Sequence, residues 1–219
     1  MTRVPRNAAS RERPTLVLLV RHGQTPKTGI ILPGRAPGLH LADEGRRQAD
    51  AVARRIARLP RVAAVYTSPL ERARETAVAI TSARGLALRV EHGLNECDVG
   101  EWTGLPLKRV RRKPEWQLVR HHPSGFRFPG GESFMEMQAR VTAALARLVE
   151  RHPGETIVAV SHADPIKAAV AHALGLHLDL FQRLTVVPGS ITAIAYLPEA
   201  PLVLTVNSLD GDLTWLATR

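Results

Sequence analysis

Apolar runs of five to eight residues punctuate this chain, and the spacing between them sets the expected architecture. Thr15-Leu-Val-Leu-Leu-Val20 is continuous rather than alternating, the pattern of a strand buried on both faces of a sheet. Glu155-Thr-Ile-Val-Ala-Val160 repeats that pattern. Val62–Tyr66 and Leu86–Glu91 read as shorter strands, and Ser190–Tyr196 with Leu202–Asn207 as two more toward the C-terminal end. Between these runs the period changes to that of a helix. Ala49, Val52, Ala53, Ile56 and Leu59 recur on one helical face behind Asp43 and Glu44, whose charges suit a helix N-terminus, and Pro60 ends the run. Ser68 is expected to cap a second helix, Leu70–Arg84, with Pro69 in its first turn. Phe134, Met137, Val141, Leu145 and Leu148 mark the inner face of a long third helix. Pro165 is expected to begin a fourth, carrying Ile166, Ala169, Val170, Ala173 and Leu174 and closed by Gly175. Strands alternating with helices over short joints predict an α/β domain built from βαβ units.

Two stretches break the alternation. Thr25 to His40 holds Pro26, Gly29, Pro33, Gly34, Pro37 and Gly38, so it is expected to be irregular and long enough to wrap over a pocket at a strand end. Residues 105–131 carry Lys108, Arg109, Arg111, Arg112, Lys113, Arg120, His121 and His122, broken by Pro114, Pro123 and Pro129. One or two short helices and a loop are expected there, either a basic cap over a site or a solvated excursion.

Composition narrows the class. A hydrophobic fraction of 44% in 219 residues suffices for one α/β domain with its own core, expected over 14–219. Residues 1–13, with Arg3, Arg6, Arg11 and Arg13, read as a disordered basic tail. The apolar run behind them is too short for a secretory signal or a membrane span. The single cysteine, Cys97, excludes an intrachain disulfide and is expected to be a small buried hydrophobe. A cytoplasmic protein without membrane association is the expectation. The net charge of +10 raises nucleic acid as a partner, but the arginines are spread along the chain and aromatic residues make up only 4%. A small anionic substrate accounts for the same sign of charge. An exposed strand edge near the C-terminus would allow a homodimer.

The chemistry gathers at strand ends. Arg21 and His22 follow the first strand, Arg72 falls in the first turn of the helix after the second, Glu96 follows the third, and His162 follows the fourth. In open α/β sheets, ligands bind in the crevice beyond the carboxyl ends of the strands. Two guanidinium forks and two imidazoles suit a phosphoryl group, with N–H donors from the helix N-terminus at Ala163. No metal-ligand spacing is present; adjacent His121 and His122 are a weak hint.

Val20-Arg21-His22-Gly23-Gln24-Thr25, Thr67-Ser68-Pro69-Leu70-Glu71-Arg72-Ala73, Leu94-Asn95-Glu96 with Gly100-Glu101-Trp102-Thr103-Gly104, and Val160-Ser161-His162 together resemble the motif series of the histidine phosphatase superfamily (phosphoglycerate mutase-like), in its phosphatase branch. The resemblance runs from about Leu16 to Asn207. It implies a three-layer fold, a mostly parallel six-stranded sheet with helices on both faces. It implies His22 as a nucleophile that carries the phosphoryl group, with Arg21, Arg72 and His162 cradling its oxygens and Glu96 as general acid and base. Gln24, Thr28 and Ala163 would complete the substrate contacts, and neither metal nor cofactor would be required. Cationic neighbours would hold His22 in its neutral, nucleophilic form.

Three positions depart from the family pattern. Thr28 stands where an asparagine often touches substrate, Ala42 where a threonine often caps a helix, and Ala163-Asp164-Pro165 replaces the Gly-Asn or Gly-Glu of the mutase branch. Asp164 is expected to cap its helix. Thr28 and the stretch from Ala163 to Pro165 favour a metal-independent phosphomonoesterase acting on a small phosphorylated metabolite, while Ala42 is expected to affect local stability alone. A 2,3-bisphosphoglycerate-dependent phosphoglycerate mutase and a non-catalytic phospholigand-binding module are the alternatives.

Overall fold

The computed structural model describes residues 13–218, so the tail expected over residues 1–13 lies outside the described residues apart from Arg13. One six-stranded sheet organises the chain, in the order β3-β2-β4-β1-β5-β6. The strands are β1 (Thr15–Arg21), β2 (Ala64–Thr67), β3 (Leu88–Val90), β4 (Thr156–Ser161), β5 (Ile191–Tyr196) and β6 (Pro201–Ser208). β1 and β4 pair in parallel from Leu16↔Thr156 to Arg21↔Ser161, and β2 joins β4 and β3 in parallel. β5 runs antiparallel to both β1 and β6, so five of the six strands share one direction. The expected mostly parallel sheet is present.

Helices cover both faces. α1 (Asp43–Ala57) and α2 (Glu71–Arg84) lie on one side, where Val52, Ala53, Ile56, Ala73, Ala77 and Ile80 pack on Leu16, Leu18 and Val20. On the other side, α5 (Phe134–Arg151) and α6 (Ala163–Ala173) pack Met137, Val141, Leu145 and Ile166 on Val17 and Leu19. The continuous apolar run of β1 is therefore explained: its odd and even positions face different cores, and both are dry. The capping box at the start of α5, in which Ser133 and Glu136 satisfy each other's backbone N–H groups, fixes where that helix begins.

The 105–131 segment contains two short helices, α3 (Leu107–Val110) and α4 (Trp116–His121), as expected. Its apolar side chains Val110, Val119, Phe126 and Phe128 are buried, and the two phenylalanines stack edge-on with ring centroids 4.9 Å apart beside Trp102. Most of its basic side chains remain exposed, while Lys113 lies over the Trp102 ring at 5.3 Å. No helix among the described residues is long and apolar enough to cross a membrane.

Several boundaries move. β3 keeps only three of its six expected residues and its burial is slight, because an edge strand has a ladder on one side alone. α6 starts at Ala163, two residues before Pro165, and α2 starts at Glu71 rather than Leu70. The N-cap of α2 is Leu70, with no side-chain bond of its own, and the Ser68 hydroxyl accepts the Leu70 N–H at 3.4 Å just ahead of the helix rather than at its cap. Ala42 caps α1 without a side-chain bond. Arg55 of α1 is buried and donates to the carbonyls of Ser208, Asp210 and Gly211, tying that helix to the end of β6 and the chain just beyond it.

Candidate active site

The C-terminal ends of β1, β2 and β4 converge, and the polar residues expected there arrive together. His22 leaves β1 with its backbone N–H on Ser161 O at 3.0 Å, which sets it beside the end of β4. His162, one residue beyond β4, presents its ring to that of His22 with centroids 5.0 Å apart. Arg72 enters from the first turn of α2, and its side chain is among the largest fully buried ones. Glu96 arrives on the loop after β3, with its carboxylate 4.0 Å from His162 Nδ1.

The tautomer of His22 follows from its neighbour. His22 Nδ1 is 2.7 Å from Gly23 O, and a carbonyl can only accept, so Nδ1 carries the proton and Nε2 keeps its lone pair. Burial first, and then Arg72 and Arg21, hold this imidazole well below its usual pKa. The ring is thus neutral at physiological pH. Gly23 itself must be a glycine for steric reasons: a Cβ there would lie 2.3 Å from Gly45 O, and one on Gly45 would lie 2.0 Å from Gln24 O. The exit of β1 and the first turn of α1 are in backbone-to-backbone contact.

The guanidinium groups are each tethered at one corner only. Arg21 donates through Nη1 to Val186 O at 2.6 Å, and Arg72 through Nη2 to Gly34 O at 2.8 Å. Arg21 Nε, Arg72 Nε and Nη1, and His162 Nδ1 are buried without any hydrogen-bond partner. Buried guanidinium donors left open in this way cost on the order of 1–3 kcal/mol each, and the three of them point to a group with several acceptor oxygens. Burial and the two arginines keep His162 neutral as well. Its Nε2 bonds Ser68 Oγ at 2.8 Å, and because that hydroxyl donates to Asn95 Oδ1 at 3.3 Å, Nε2 carries the ring proton and Nδ1 the lone pair.

Glu96 is the counterpart. Burial, then the nearby Asp164, push its carboxyl up to about 7, against the pull of Arg72, the Cys97 N–H and Arg21. A carboxylic acid poised there can give and take a proton near neutrality. Asp164 does not cap α6 as expected. The N-cap is His162, without a side-chain bond, and Asp164 lies in the first turn paired with Lys167 at 3.3 Å. Cys97, one residue on, is buried and free, and burial raises its thiol pKa.

The remaining expected contacts are placed less directly. The Thr28 hydroxyl accepts from Thr25 N at 2.9 Å and lies 3.1 Å from Thr25 Oγ1, so it is engaged within its own turn. Gln24 is partly buried next to Gly23, with its backbone N–H on Gln48 Oε1. Ala163 is the first residue of α6, where backbone N–H groups have no intrahelical partner.

Sequence reasoning missed the residues that hold the Glu96 loop. Arg35 Nε and Arg140 Nη2 both donate to Glu96 O, at 2.9 and 3.3 Å, and both guanidinium groups share Glu132. Arg140 also takes the carbonyls of Gly93 and Asn95. Nothing local marks these three residues, because their partners, apart from the Arg140–Glu132 pair itself, are tens of residues away. No cluster of histidine, cysteine or carboxylate groups able to hold a metal occurs among the described residues.

The sequence matches the histidine phosphatase superfamily (branch 1) over residues 17–209. It is 40% identical over 184 residues to a bifunctional protein of Mycobacterium tuberculosis, a match covering 78% of this chain and 50% of that protein. The chain thus spans about half the length of that relative. It is 32% identical over 170 residues to phosphoserine phosphatase 1 of Hydrogenobacter thermophilus, covering 75% and 79% of the two chains. Among solved structures, a mycobacterial glucosyl-3-phosphoglycerate phosphatase superposes with a TM-score of 0.80 at 26% identity, over 90% of this chain and all of that one. With its sheet order, its paired buried histidines and a match across most of its length, this chain belongs to the histidine phosphatase superfamily.

Proposed function

We propose that the protein is a metal-independent phosphomonoesterase of the histidine acid phosphatase type, acting on a small phosphorylated metabolite. In the first step His22 Nε2 attacks phosphorus as the ester P–O bond breaks, and the leaving oxygen takes the proton from Glu96. In the second step a water gives its proton to the Glu96 carboxylate and attacks phosphorus. The P–N bond breaks, inorganic phosphate leaves, and both residues return to their starting forms. Arg21 and Arg72, with His162 beside them, hold the non-bridging oxygens throughout.

One observation carries this reading: a neutral imidazole with its Nε2 lone pair free, ringed by buried donors that lack acceptors. The phosphatase activities named for the relatives support hydrolysis as the outcome. The substrate is expected to be small and anionic, and its identity is left to a panel of phosphorylated metabolites.

The test is capture of the intermediate. Brief incubation with a ³²P-labelled phosphomonoester, then denaturation at alkaline pH, is expected to leave acid-labile label on the wild-type protein and none on His22→Ala. The same variant is expected to lose turnover by more than about 10⁴-fold, as expected for a removed nucleophile. Turnover surviving in His22→Ala would refute the mechanism. Transfer of label to an added alcohol or phosphoglycerate faster than phosphate release would assign the chain to the mutases instead.

A further inference from the structure

Arg21 is held by a single loop, residues 186–190, at three points. Its backbone N–H donates to Ser190 O and its carbonyl accepts from Gly189 N, both at 3.1 Å. Its side chain reaches back through Nη1 to Val186 O at 2.6 Å. What holds the loop is less obvious. Between Val186 and Gly189, Val187 donates its backbone N–H to Asn207 Oδ1 at 2.7 Å. Asn207 lies on β6, at the edge of the sheet and two strands away from β1.

Asn207 is built for this contact. Among the described residues it is the one non-glycine with a positive φ, at 60°. Asparagine tolerates that left-handed conformation better than most residues. The β5–β6 register shifts here: Ile191 pairs with Ser208 but Ala193 with Thr205, so β6 has an extra residue opposite Thr192. Such a bulge re-aims a side chain out of the ladder. The Asn207 backbone N–H is anchored on Thr192 Oγ1 at 3.2 Å, and its amide then points at the loop instead of along the strand.

We propose that Asn207 is a positioning residue that sets the Arg21 guanidinium for oxyanion binding, acting through Val187 and the Val186 carbonyl. This rests on the reading of Arg21 as a phosphoryl ligand and extends it to a residue on the far edge of the sheet. The chain of contacts is Thr192 to Asn207 to Val187, then from Val186 to Arg21. Each link is a hydrogen bond. Loss of the amide acceptor leaves Arg21 with a mobile anchor and its buried Nε free to settle elsewhere.

Two substitutions separate the amide from the backbone conformation. Asn207→Gly keeps access to positive φ and removes the acceptor. Asn207→Asp keeps both. Asn207→Gly is expected to weaken binding of inorganic phosphate, followed by titration calorimetry, by about five- to tenfold, as for loss of a single neutral hydrogen bond, and to lower kcat in step. Asn207→Asp is expected to stay within about threefold of wild type. In an Arg21→Lys background Asn207→Gly is expected to add nothing, because a residue acting only through the guanidinium has no further effect once that group is gone. Should Asn207→Gly not fold, Thr192→Val, which removes the anchor of Asn207, is expected to show the same coupling to Arg21→Lys with a smaller loss.

Wild-type phosphate affinity in Asn207→Gly, or losses that add fully in the Arg21→Lys background, would overturn the proposal. Phosphate binding does not depend on turnover. A wild-type protein that binds phosphate and shows this coupling but hydrolyses no phosphomonoester would therefore refute the proposed function and leave the positioning role standing.

Discussion

Two buried histidine clusters sit at opposite ends of the same sheet, and they are wired in opposite ways. At the end where β1 and β4 begin, His152 uses both ring nitrogens: Nδ1 meets Glu155 at 2.8 Å and Nε2 meets Tyr66 Oη at 2.9 Å. Its carbonyl takes the Thr15 hydroxyl, which in turn accepts from Gly154 N. Every side-chain polar atom named there has a partner. At the other end, His22, His162 and Arg72 are at least as buried and Arg21 is partly buried, yet four of their side-chain nitrogens have none. A cluster that is closed stabilises the fold, while one that is open is held by the fold for something else. The comparison teaches that burial alone does not separate a structural histidine from a functional one; the inventory of unmade bonds does.

The largest effect that would sharpen this contrast concerns Glu96. Its raised pKa means that the proton needed by the leaving group is present below about 7 and lost above it. For the first half-reaction, kcat/KM is therefore expected to be level below pH 7 and to fall as pH rises through it. Because His22 is held neutral, no acid limb from its protonation is expected near pH 6.5. Glu96→Gln is expected to abolish the alkaline limb and to lower kcat by about 10²–10⁴-fold on alkyl phosphates. The loss should be much smaller on p-nitrophenyl phosphate, whose leaving group needs little protonation. A retained limb in the variant would assign it to another residue.

The next effect belongs to the closed cluster. His152→Ala is expected to cost about 2–3 kcal/mol of stability, measured by urea unfolding, since it removes a buried ring and the acceptor of the Tyr66 O–H, which is left with the Arg89 guanidinium alone. Its kcat on the folded enzyme is expected to stay within about twofold of wild type. A large catalytic loss in that variant would break the distinction between the two ends.

Smallest and simplest is the response to ligand. Inorganic phosphate at about 100 times its Kd is expected to stabilise the wild type by about 2.7 kcal/mol. His152→Ala should keep that gain, and Arg72→Ala should lose most of it. Equal stabilisation of all three proteins would place the anion elsewhere.

Much of this was legible in the chain. β1 and β4 were plain because two-sided burial demands an unbroken apolar run, and the histidines and arginines at their ends followed from strand direction. β3 was less so, because an edge strand with one ladder and exposed side chains leaves only a weak pattern. Ser68 was legible only in part: its hydroxyl does accept from Leu70 N, but the helix begins later, at Glu71, and the same hydroxyl meets His162, 94 residues away, which no local rule contains. Asp164 was misread, its carboxylate drawn to Lys167 rather than to the backbone of α6. Arg35, Arg140 and Glu132 escaped altogether. Their chemistry is that of surface residues, and only the closed chain turns them into the clamp on the Glu96 carbonyl.

The bare contact between Gly23 and Gly45 has a consequence for anyone wishing to re-engineer this scaffold. His22, the proposed nucleophile, is seated on a strand exit that touches the next helix with no room for even a methyl group. A larger residue at either position would wedge the helix away, and the imidazole, whose tilt is fixed by the Gly23 carbonyl, would swing with it. New specificities are better sought in the outer loops than along this seam, where a single carbon atom would retune the reaction before it troubled the fold.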